Sequence, residues 1–342
     1  MPILNKSDEE ILVNVANKKL KVSVTPAQVK SELPFDFNIS DDLLKQMCAA
    51  LNSDNHLILT GPPGTGKTTL SAALSKAAKM NYLLTTATAD WTTFDTIGGY
   101  MPDISSGNPN SLKFEEGIFL QSIKNQEWLI VDEINRAQID KAIGALFTVL
   151  SDGDATLPYR DSNSRKRIMI KSQNGLTTQD TYYKNDNWRL IATMNEYDKT
   201  SLFDMSYAFM RRFAMIRIGV PTNFDNLVEV WSNSIGLDSD ITKNLKMVAK
   251  EILDGNLREI GPAMFKNIIK YLDTRKKNDS QIIQHYAESF VLYVLPQFQG
   301  LDHLEVNKLY QLLKPILERE TNSDLYFKIN IESMTGIPLG DI

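Results

Sequence analysis

The fold prediction rests on the stretch Gly61-Pro62-Pro63-Gly64-Thr65-Gly66-Lys67-Thr68, which matches the phosphate-loop pattern G-x-x-x-x-G-K-[ST] at every fixed position. The apolar run His56–Thr60 before it predicts a short buried strand, and Thr69–Ala78 after it predicts a helix. Glycines let backbone N–H groups turn toward a phosphate without Cβ clashes, and a helix N-terminus adds partial positive charge. Strand, loop and helix together therefore predict a phosphate site.

The side chains of this loop predict a nucleoside triphosphate bound with Mg²⁺. Lys67 supplies a full positive charge to the β- and γ-phosphates, and the Thr68 hydroxyl is a suitable Mg²⁺ ligand. The expected nucleotide-binding residues are Gly61, Pro62, Pro63, Gly64, Thr65, Gly66, Lys67, Thr68 and Thr69. The alternative is a glycine-rich turn without a ligand, and the fit of both flanking segments argues against it.

Composition narrows the class of protein. The 342 residues are enough for two domains, and the net charge of −5 argues against a surface that binds nucleic acid everywhere, although not against a local basic element. The single cysteine, Cys48, excludes an intramolecular disulfide. With no apolar run of membrane length and no signal-peptide pattern, we expect a cytoplasmic protein.

The order of patterns predicts two domains. Strand patterns alternate with helix patterns up to Pro221 and give way to helices alone from Thr222 onward, which predicts an α/β domain followed by an all-α domain. Further strands are predicted at Tyr82–Thr88, Trp128–Glu133, Arg189–Asn195 and Phe213–Val220. The expected boundaries are an N-terminal extension at 1–37, a nucleotide-binding domain at 38–221, and a helical lid with a C-terminal tail at 222–342.

Two polar segments interrupt the first domain. The turn-rich residues from about 100 to 114 split a helix that is expected to resume over Phe114–Ile123. The residues from about 154 to 187 form a longer connection, whose Arg167–Lys171 alternates like one arm of a hairpin. Its basic run consists of Arg165, Lys166 and Arg167. These cations either grip DNA phosphates or an acidic peptide, or belong to a solvated loop tip.

Polar residues follow the predicted buried strands and form a candidate catalytic set. Asp132 is placed to hold Mg²⁺, and Glu133 to polarise the attacking water. Asn195 ends the adjacent strand, where it can orient that water. Arg211 and Arg212 follow a helix and could reach a nucleotide held by a neighbouring subunit.

The order of these motifs resembles the AAA+ ATPases over about residues 38–296. Within them the chain is similar to the helix-2-insert branch that includes MoxR-type ATPases, midasin, dynein motor modules and McrB-like restriction motor subunits. The motifs that carry this resemblance are Thr92–Tyr100, Asp132–Ala137, Thr193–Asn195 and Arg211–Phe213. Ile260–Phe265 is closest to the McrB-like form.

The resemblance implies a parallel-sheet P-loop AAA+ domain, with a helix-2 insert and a hairpin before sensor 1, followed by an all-α lid. It implies hydrolysis of ATP, with GTP still open, in a ring expected to be a hexamer. Ala263 stands where many relatives carry a sensor-2 arginine, and Lys266 is a weak substitute.

The resemblance leaves two roles open. One is a motor that drives a separately encoded effector, such as a nuclease, in a restriction or anti-phage defence system, with DNA contacted through Arg165, Lys166 and Arg167. The other is a MoxR-like chaperone that remodels or matures a protein or metal-enzyme partner.

Overall fold

The computed structural model describes residues 22–103, 111–196, 205–277, 279–298, 300 and 302–339. They divide into two compact units. The first comprises the described residues of Met1–Gly61 and Lys67–Arg217, and the second those of Pro62–Gly66 and Ile218–Ile342. The pattern of Ser7–Leu20 favours a helix capped by Ser7, and this segment lies outside the described residues.

The first unit is built on a parallel sheet. The strands of the described chain are β1 His56–Gly61, β2 Tyr82–Thr86, β3 Gly98–Pro102, β4 Leu112–Glu116, β5 Trp128–Asp132, β6 Ala155–Arg160, β7 Arg167–Lys171, β8 Thr181–Tyr183, β9 Leu190–Asn195 and β10 Phe213–Arg217. Five of them form the parallel sheet in the order β10-β1-β9-β5-β2. The predicted α/β class is confirmed.

The strand register brings the polar strand ends to one edge. Gly61 pairs with Asn195, and Val131 pairs with Ala192 one residue before Asp132. The strands β1, β5 and β9 are almost entirely buried because helices cover both faces of such a sheet. Their carboxyl ends therefore bring Gly61, Asp132 and Asn195 to the same edge of the sheet.

The helices of the first unit are mostly short, and the first of them, Pro26–Glu32, was not predicted from the sequence. They are α1 Pro26–Glu32, α2 Asp41–Asn52, α3 Lys67–Ala77, α4 Thr93–Thr96, α5 Ile118–Lys124, α6 Ile139–Ile143, α7 Phe147–Leu150 and α8 Tyr207–Met210. Ser40 caps α2 through its side chain, as its position in the sequence predicts. Cys48 is a buried free thiol of this helix.

The helix predicted at Phe114–Ile123 is wrong in its first part. Leu112–Glu116 is a strand paired antiparallel with β3, and the helix starts only at Ile118. Phe114 is buried while its neighbours Lys113 and Glu115 are exposed, which is the alternation of a strand. Gly117 separates strand from helix, since a Cβ there would lie 2.5 Å from the Thr96 carbonyl carbon.

The two inserted segments contact each other. β3 and β4 form one hairpin, and β6, β7 and β8 form a three-stranded sheet. The Tyr100 hydroxyl accepts a hydrogen bond from the Arg160 N–H at 2.9 Å and donates one to the Arg160 carbonyl at 3.1 Å. The rings of Tyr100, Phe114 and Tyr159 pack together beside this link.

The second unit is helical. Its helices are α9 Phe224–Ser234, α10 Ser239–Leu253, α11 Pro262–Arg275, α12 Ile282–Tyr293, α13 His303–Leu317 and α14 Thr321–Thr335. They enclose an apolar core in which Phe224, Phe265, Phe290 and Phe327 are fully buried. Within the described residues, none of the helices combines the length and apolar character needed to cross a membrane.

Candidate active site

The loop between β1 and α3 has the backbone that its glycines predict. Gly61, Gly64 and Gly66 have φ angles of 143°, 77° and 84°. Side-chain-bearing residues rarely adopt these angles, so the three glycines are required by conformation. Within the loop, the Thr65 hydroxyl donates to the Pro62 carbonyl at 3.1 Å.

Lys67 begins α3 and is buried. Its Nζ donates to the Gly61 carbonyl at 3.0 Å. Burial lowers the pKa of Lys67 to about 8, against the opposing pull of the carboxylates of Asp132, Glu196 and Glu133. A phosphate arriving beside this ammonium would favour its charged form.

The pair Thr68 and Asp132 has the chemistry of a Mg²⁺ site. The Thr68 hydroxyl donates to Asp132 Oδ1 at 2.7 Å. That hydrogen bond uses the hydroxyl hydrogen and leaves the oxygen lone pairs of Thr68 for a cation. A hydroxyl next to a carboxylate is a set of hard oxygen donors, which Mg²⁺ prefers together with phosphate oxygens and water.

Glu133 follows β5 in a left-handed conformation with a φ of 52°. This conformation is uncommon for a residue with a long side chain. Asn195 Nδ2 donates to Glu133 Oε1 at 3.0 Å, and Arg136 forms an ion pair with Oε2. Asn135 Nδ2 donates a hydrogen bond to the Asn195 carbonyl at 3.2 Å, which links the turn after β5 to the end of β9.

Thr193 was not singled out from the sequence as a site residue, whereas Arg136 was considered there, with Asn135, as a relay to the next subunit or a helix cap. Thr193 contacts both Asp132 and Glu133, and Arg136 contacts Glu133. Position 193 is the alternate residue to Asn195 on β9, two residues earlier on the same face of the strand. The polar threonine in an otherwise apolar strand was the sequence feature that could have indicated a role at this edge.

The two predicted arginines have different surroundings. Arg212 Nε donates to the Phe147 carbonyl at 2.8 Å, and its guanidinium lies 4.9 Å from the centre of the Phe147 ring. Arg211 is exposed and its side chain makes no hydrogen bond or ion pair among the described residues. The helix before them is fixed because Asp140 accepts a hydrogen bond from the Ser206 N–H at 3.1 Å.

Within the second unit, the loop residues Pro62–Gly66 contact the start of α11. The Gly261 N–H donates to the Pro63 carbonyl at 2.8 Å, and the Ala263 N–H donates to the Gly64 carbonyl at 3.2 Å. A Cβ on Gly261 would lie 2.1 Å from the Gly64 carbonyl carbon. Ala263 thus contacts the loop through its backbone N–H. The resemblance places a sensor-2 arginine at this position in many relatives.

The basic run lies where β6 turns into β7. Arg165, Lys166 and Arg167 are all exposed, and Lys166 lies 4.0 Å from Asp180. Arg160 Nη1 donates to the Arg165 carbonyl at 2.9 Å, which adds a fourth cation to the tip. A cavity of about 340 Å³ is lined by Lys30, Leu33, Pro34, Phe35, Phe37, Asn38 and Ile39.

Comparison with known proteins finds one family model and two relatives that are similar to part of this chain. Residues 56–213 match the family model described as AAA domain (dynein-related subfamily). The chain is 29% identical over 196 residues to the "Type IV methyl-directed restriction enzyme EcoKMcrB subunit" of Escherichia coli (strain K12), which covers 54% of this chain and 39% of that protein. It is 27% identical over 81 residues to midasin of Dictyostelium discoideum, covering 24% of this chain and 1% of midasin.

The chain therefore spans well under half the length of both relatives. Among solved structures, a variant of RuvB from Thermotoga maritima aligns with a TM-score of 0.45 and 14% identity, covering 90% of this chain and 88% of that one.

Proposed function

We propose that the chain is a nucleotide hydrolase and the motor subunit of a ring that passes the work of hydrolysis to a separate effector. The match of residues 56–213 to the model described as AAA domain (dynein-related subfamily) supports this proposal. The observation that carries this proposal is the cluster at the sheet edge. There Thr68 contacts Asp132 at 2.7 Å, and Asn195 contacts Glu133 at 3.0 Å. These contacts support a site in which Thr68 and Asp132 would hold a metal ion and Glu133 would polarise the attacking water.

The residues fit the proposed ligand, a triphosphate with Mg²⁺. Lys67 and the loop amides would hold the phosphates, and Thr68 with Asp132 would hold the metal. Mg²⁺ supplies charge that offsets the negative charge on the phosphate oxygens. Glu133 would accept a proton from the attacking water at its carboxylate, while the Asn195 amide keeps that carboxylate in place.

The cavity before α2 is a candidate site for the nucleotide base, where ATP and GTP would be distinguished. The cavity at Lys30 and Leu33–Ile39 has room for a purine, and it is formed by the segment just before α2. Turnover measured with ATP and with GTP gives the nucleotide preference. A change of that preference in a Phe37→Ala variant would show that this segment contacts the base.

Assembly into a ring, expected to be a hexamer, is supported by Arg211. Its exposed guanidinium follows a fixed helix and contacts no carboxylate of the described chain, so it is available to a nucleotide on a second copy. Supplied from a neighbour, such a cation stabilises the charge that develops as the phosphoryl group leaves. Arg212, by contrast, is held by its own chain at Phe147.

Coupling to an effector is supported by the linked hairpins. Four cations lie at the tip formed by residues 160–167, on a protein whose net charge is −5. A local basic tip of this kind suits the phosphates of DNA or an acidic protein segment. We propose that a separately encoded effector, a nuclease in a restriction or anti-phage defence system, works with the motor through this tip.

A second candidate is a MoxR-like chaperone that remodels a protein partner. It is favoured by the neighbouring hairpin, where Met101 and Leu112 are 45% and 57% exposed. Apolar side chains beside a basic tip would suit a partly unfolded protein better than duplex DNA. Stimulation by duplex DNA at low salt that disappears at high salt favours the first role, and stimulation by an unfolded protein that persists in salt favours the second.

The proposed hydrolysis site is tested by turnover and binding together. Lys67→Ala should lose nucleotide binding by calorimetry, whereas Glu133→Gln should bind nucleotide without hydrolysing it. Because Glu133→Gln would stay in the triphosphate state, it should retain the effector in a pull-down that Lys67→Ala fails. Tight Mg·ATP and Mg·GTP binding by folded Lys67→Ala would refute the assignment.

A further inference from the structure

The hydroxyl of Thr193 is the link between the two carboxylates of the site. It accepts a hydrogen bond from the Glu133 N–H at 3.0 Å and donates one to Asp132 Oδ1. Asp132 Oδ1 thus receives hydroxyl hydrogens from both Thr68 and Thr193. The side chain of Thr193 is only 1% exposed, so water does not replace these partners.

The sequence around Thr193 shows why the hydroxyl needs an explanation. β9 is buried and apolar over Leu190–Ala192, and valine would fill the same volume with an equal preference for a strand. A buried hydroxyl has a desolvation cost unless it is hydrogen-bonded, and here both bonds go to the backbone and side chain of the catalytic pair. Packing alone does not account for a threonine at this position.

The contact with Glu133 also bears on backbone strain. A left-handed non-glycine residue persists only where its surroundings hold it. The Glu133 N–H is held by Thr193, and its carboxylate by Asn195 and Arg136. Without the hydroxyl, the turn could relax toward a right-handed conformation and re-aim the carboxylate.

We propose that Thr193 is a positioning residue, which orients Asp132 toward Mg²⁺ and fixes the turn that aims Glu133. The proposal rests on the roles given above to Asp132 and Glu133. It adds one shared hydroxyl that sets both groups at once, so that metal binding and the placement of the base depend on the same side chain.

The test compares Thr193→Val, which keeps the shape, with Thr193→Ser, which keeps the hydroxyl. Nucleotide affinity is measured by calorimetry with and without Mg²⁺, and kcat and KM are measured separately. Loss of an outer partner of a metal ligand lowers metal affinity or activity about 10- to 100-fold. We expect kcat of Thr193→Val to fall by that factor, and the increase in nucleotide affinity that Mg²⁺ gives to fall by the same factor. The affinity without Mg²⁺ should not change. Thr193→Ser should stay within a few fold of wild type in each of these quantities.

The matched control is Thr242→Val. Thr242 is a buried threonine of α10 whose hydroxyl has no hydrogen-bond partner among the described residues. It should leave turnover and Mg²⁺ dependence unchanged. If Thr193→Val fails to fold, Thr193→Ala against Thr193→Ser gives the same comparison, because these two variants differ by one hydroxyl.

The outcomes separate this inference from the proposed function. Wild-type turnover in Asp132→Asn and Glu133→Gln would overturn the proposed site itself. Loss of turnover in both, with wild-type kcat and Mg²⁺ dependence in Thr193→Val, would overturn the positioning role alone. A Thr193→Val protein that melts at a lower temperature with unchanged kcat and Mg²⁺ dependence would show that the hydroxyl only stabilises the fold.

Discussion

Arg212 is bound to Phe147 of its own chain in two ways. Its Nε donates to the Phe147 carbonyl oxygen at 2.8 Å, and its guanidinium lies over the ring of the same residue, 4.9 Å from the centre. The adjacent Arg211 is exposed and has no such partner among the described residues. Two neighbouring arginines therefore occupy different environments, one held against its own chain and one exposed to solvent.

This difference predicts opposite effects of two substitutions. Arg211→Ala should lower turnover about 10³-fold and leave the melting temperature unchanged, because the side chain is exposed and makes no hydrogen bond or ion pair among the described residues. Arg212→Ala should lower the free energy of unfolding by about 1–2 kcal/mol, because it removes a hydrogen bond and a cation–π contact. Turnover assays and thermal unfolding measure the two effects.

Mixing variants tests whether Arg211 acts on a neighbour. Arg211→Ala and Glu133→Gln should each be inactive alone and recover part of the activity when mixed, since mixed rings contain interfaces with both groups intact. Arg211→Ala with wild-type turnover would exclude a role for this residue in hydrolysis.

The second prediction concerns pH and Lys67. Burial lowers its pKa to about 8, and a bound phosphate needs the charged ammonium. Nucleotide binding should therefore be coupled to proton uptake above about pH 8, so that affinity falls by up to about tenfold per pH unit as pH rises further. Calorimetry across this range measures the slope.

Lys67→Ala is the control for that slope, with any residual binding measured at high nucleotide concentrations. Its remaining affinity should show no fall between pH 8 and 9. Lys67 should not destabilise the folded protein as pH rises over this range. Above about pH 8 the folded lysine has lost a proton that the unfolded lysine, with an ordinary pKa of 10.5, still binds, so removing protons from solution does not favour unfolding. A wild-type affinity independent of pH up to 10 would contradict the prediction.

The third prediction concerns the glycine that contacts the phosphate loop in the second unit. Gly261→Ala would place a Cβ 2.1 Å from the carbonyl carbon of Gly64, which is backbone and cannot move aside alone. We expect the loop to shift, the melting temperature to fall, and nucleotide affinity to drop by tenfold or more. Overpacking of this kind typically costs about 1–3 kcal/mol.

Gly144→Ala is the matched control, because a Cβ at Gly144 meets no atom within 4 Å and its φ of −53° suits alanine. It should be neutral or slightly stabilising. Equal melting temperatures and affinities for the two variants would show that the contact between Gly261 and Gly64 is unimportant.

The fourth prediction concerns the basic tip. Replacing Arg165, Lys166 and Arg167 by glutamine should leave basal turnover unchanged and abolish stimulation by duplex DNA or an effector. If the contacts are to phosphates, wild-type stimulation should also fall steeply as salt rises. Turnover with and without each addition measures this, over a salt series.

A charge-matched control replaces Lys243, Lys250 and Lys270, which are exposed on helices of the second unit, by glutamine. It removes the same charge and should keep the stimulation. Tyr100→Phe, which removes the link to the Arg160 backbone, should weaken stimulation without changing the tip itself. Full stimulation of the triple variant would mean that the tip is a solvated turn.

The sequence alone determined the parallel sheet, the phosphate loop and the positions of Asp132, Glu133 and Asn195. These features are local: an apolar run predicts a buried strand, glycines at fixed spacing permit one loop, and polar residues at strand ends meet at one sheet edge. The helical nature of the second unit followed from periodicity in the same way.

The tertiary structure decided which groups contact which. Thr193 meets residues 60 positions earlier only because β9 lies beside β5 in one register, and a one-residue slip would turn its hydroxyl to the other face. Arg211 and Arg212 look alike in sequence, yet Phe147 holds only the second. Phe114 belongs to a strand because β3 is there to pair with it, and no local pattern encodes a partner that arrives from elsewhere in the chain.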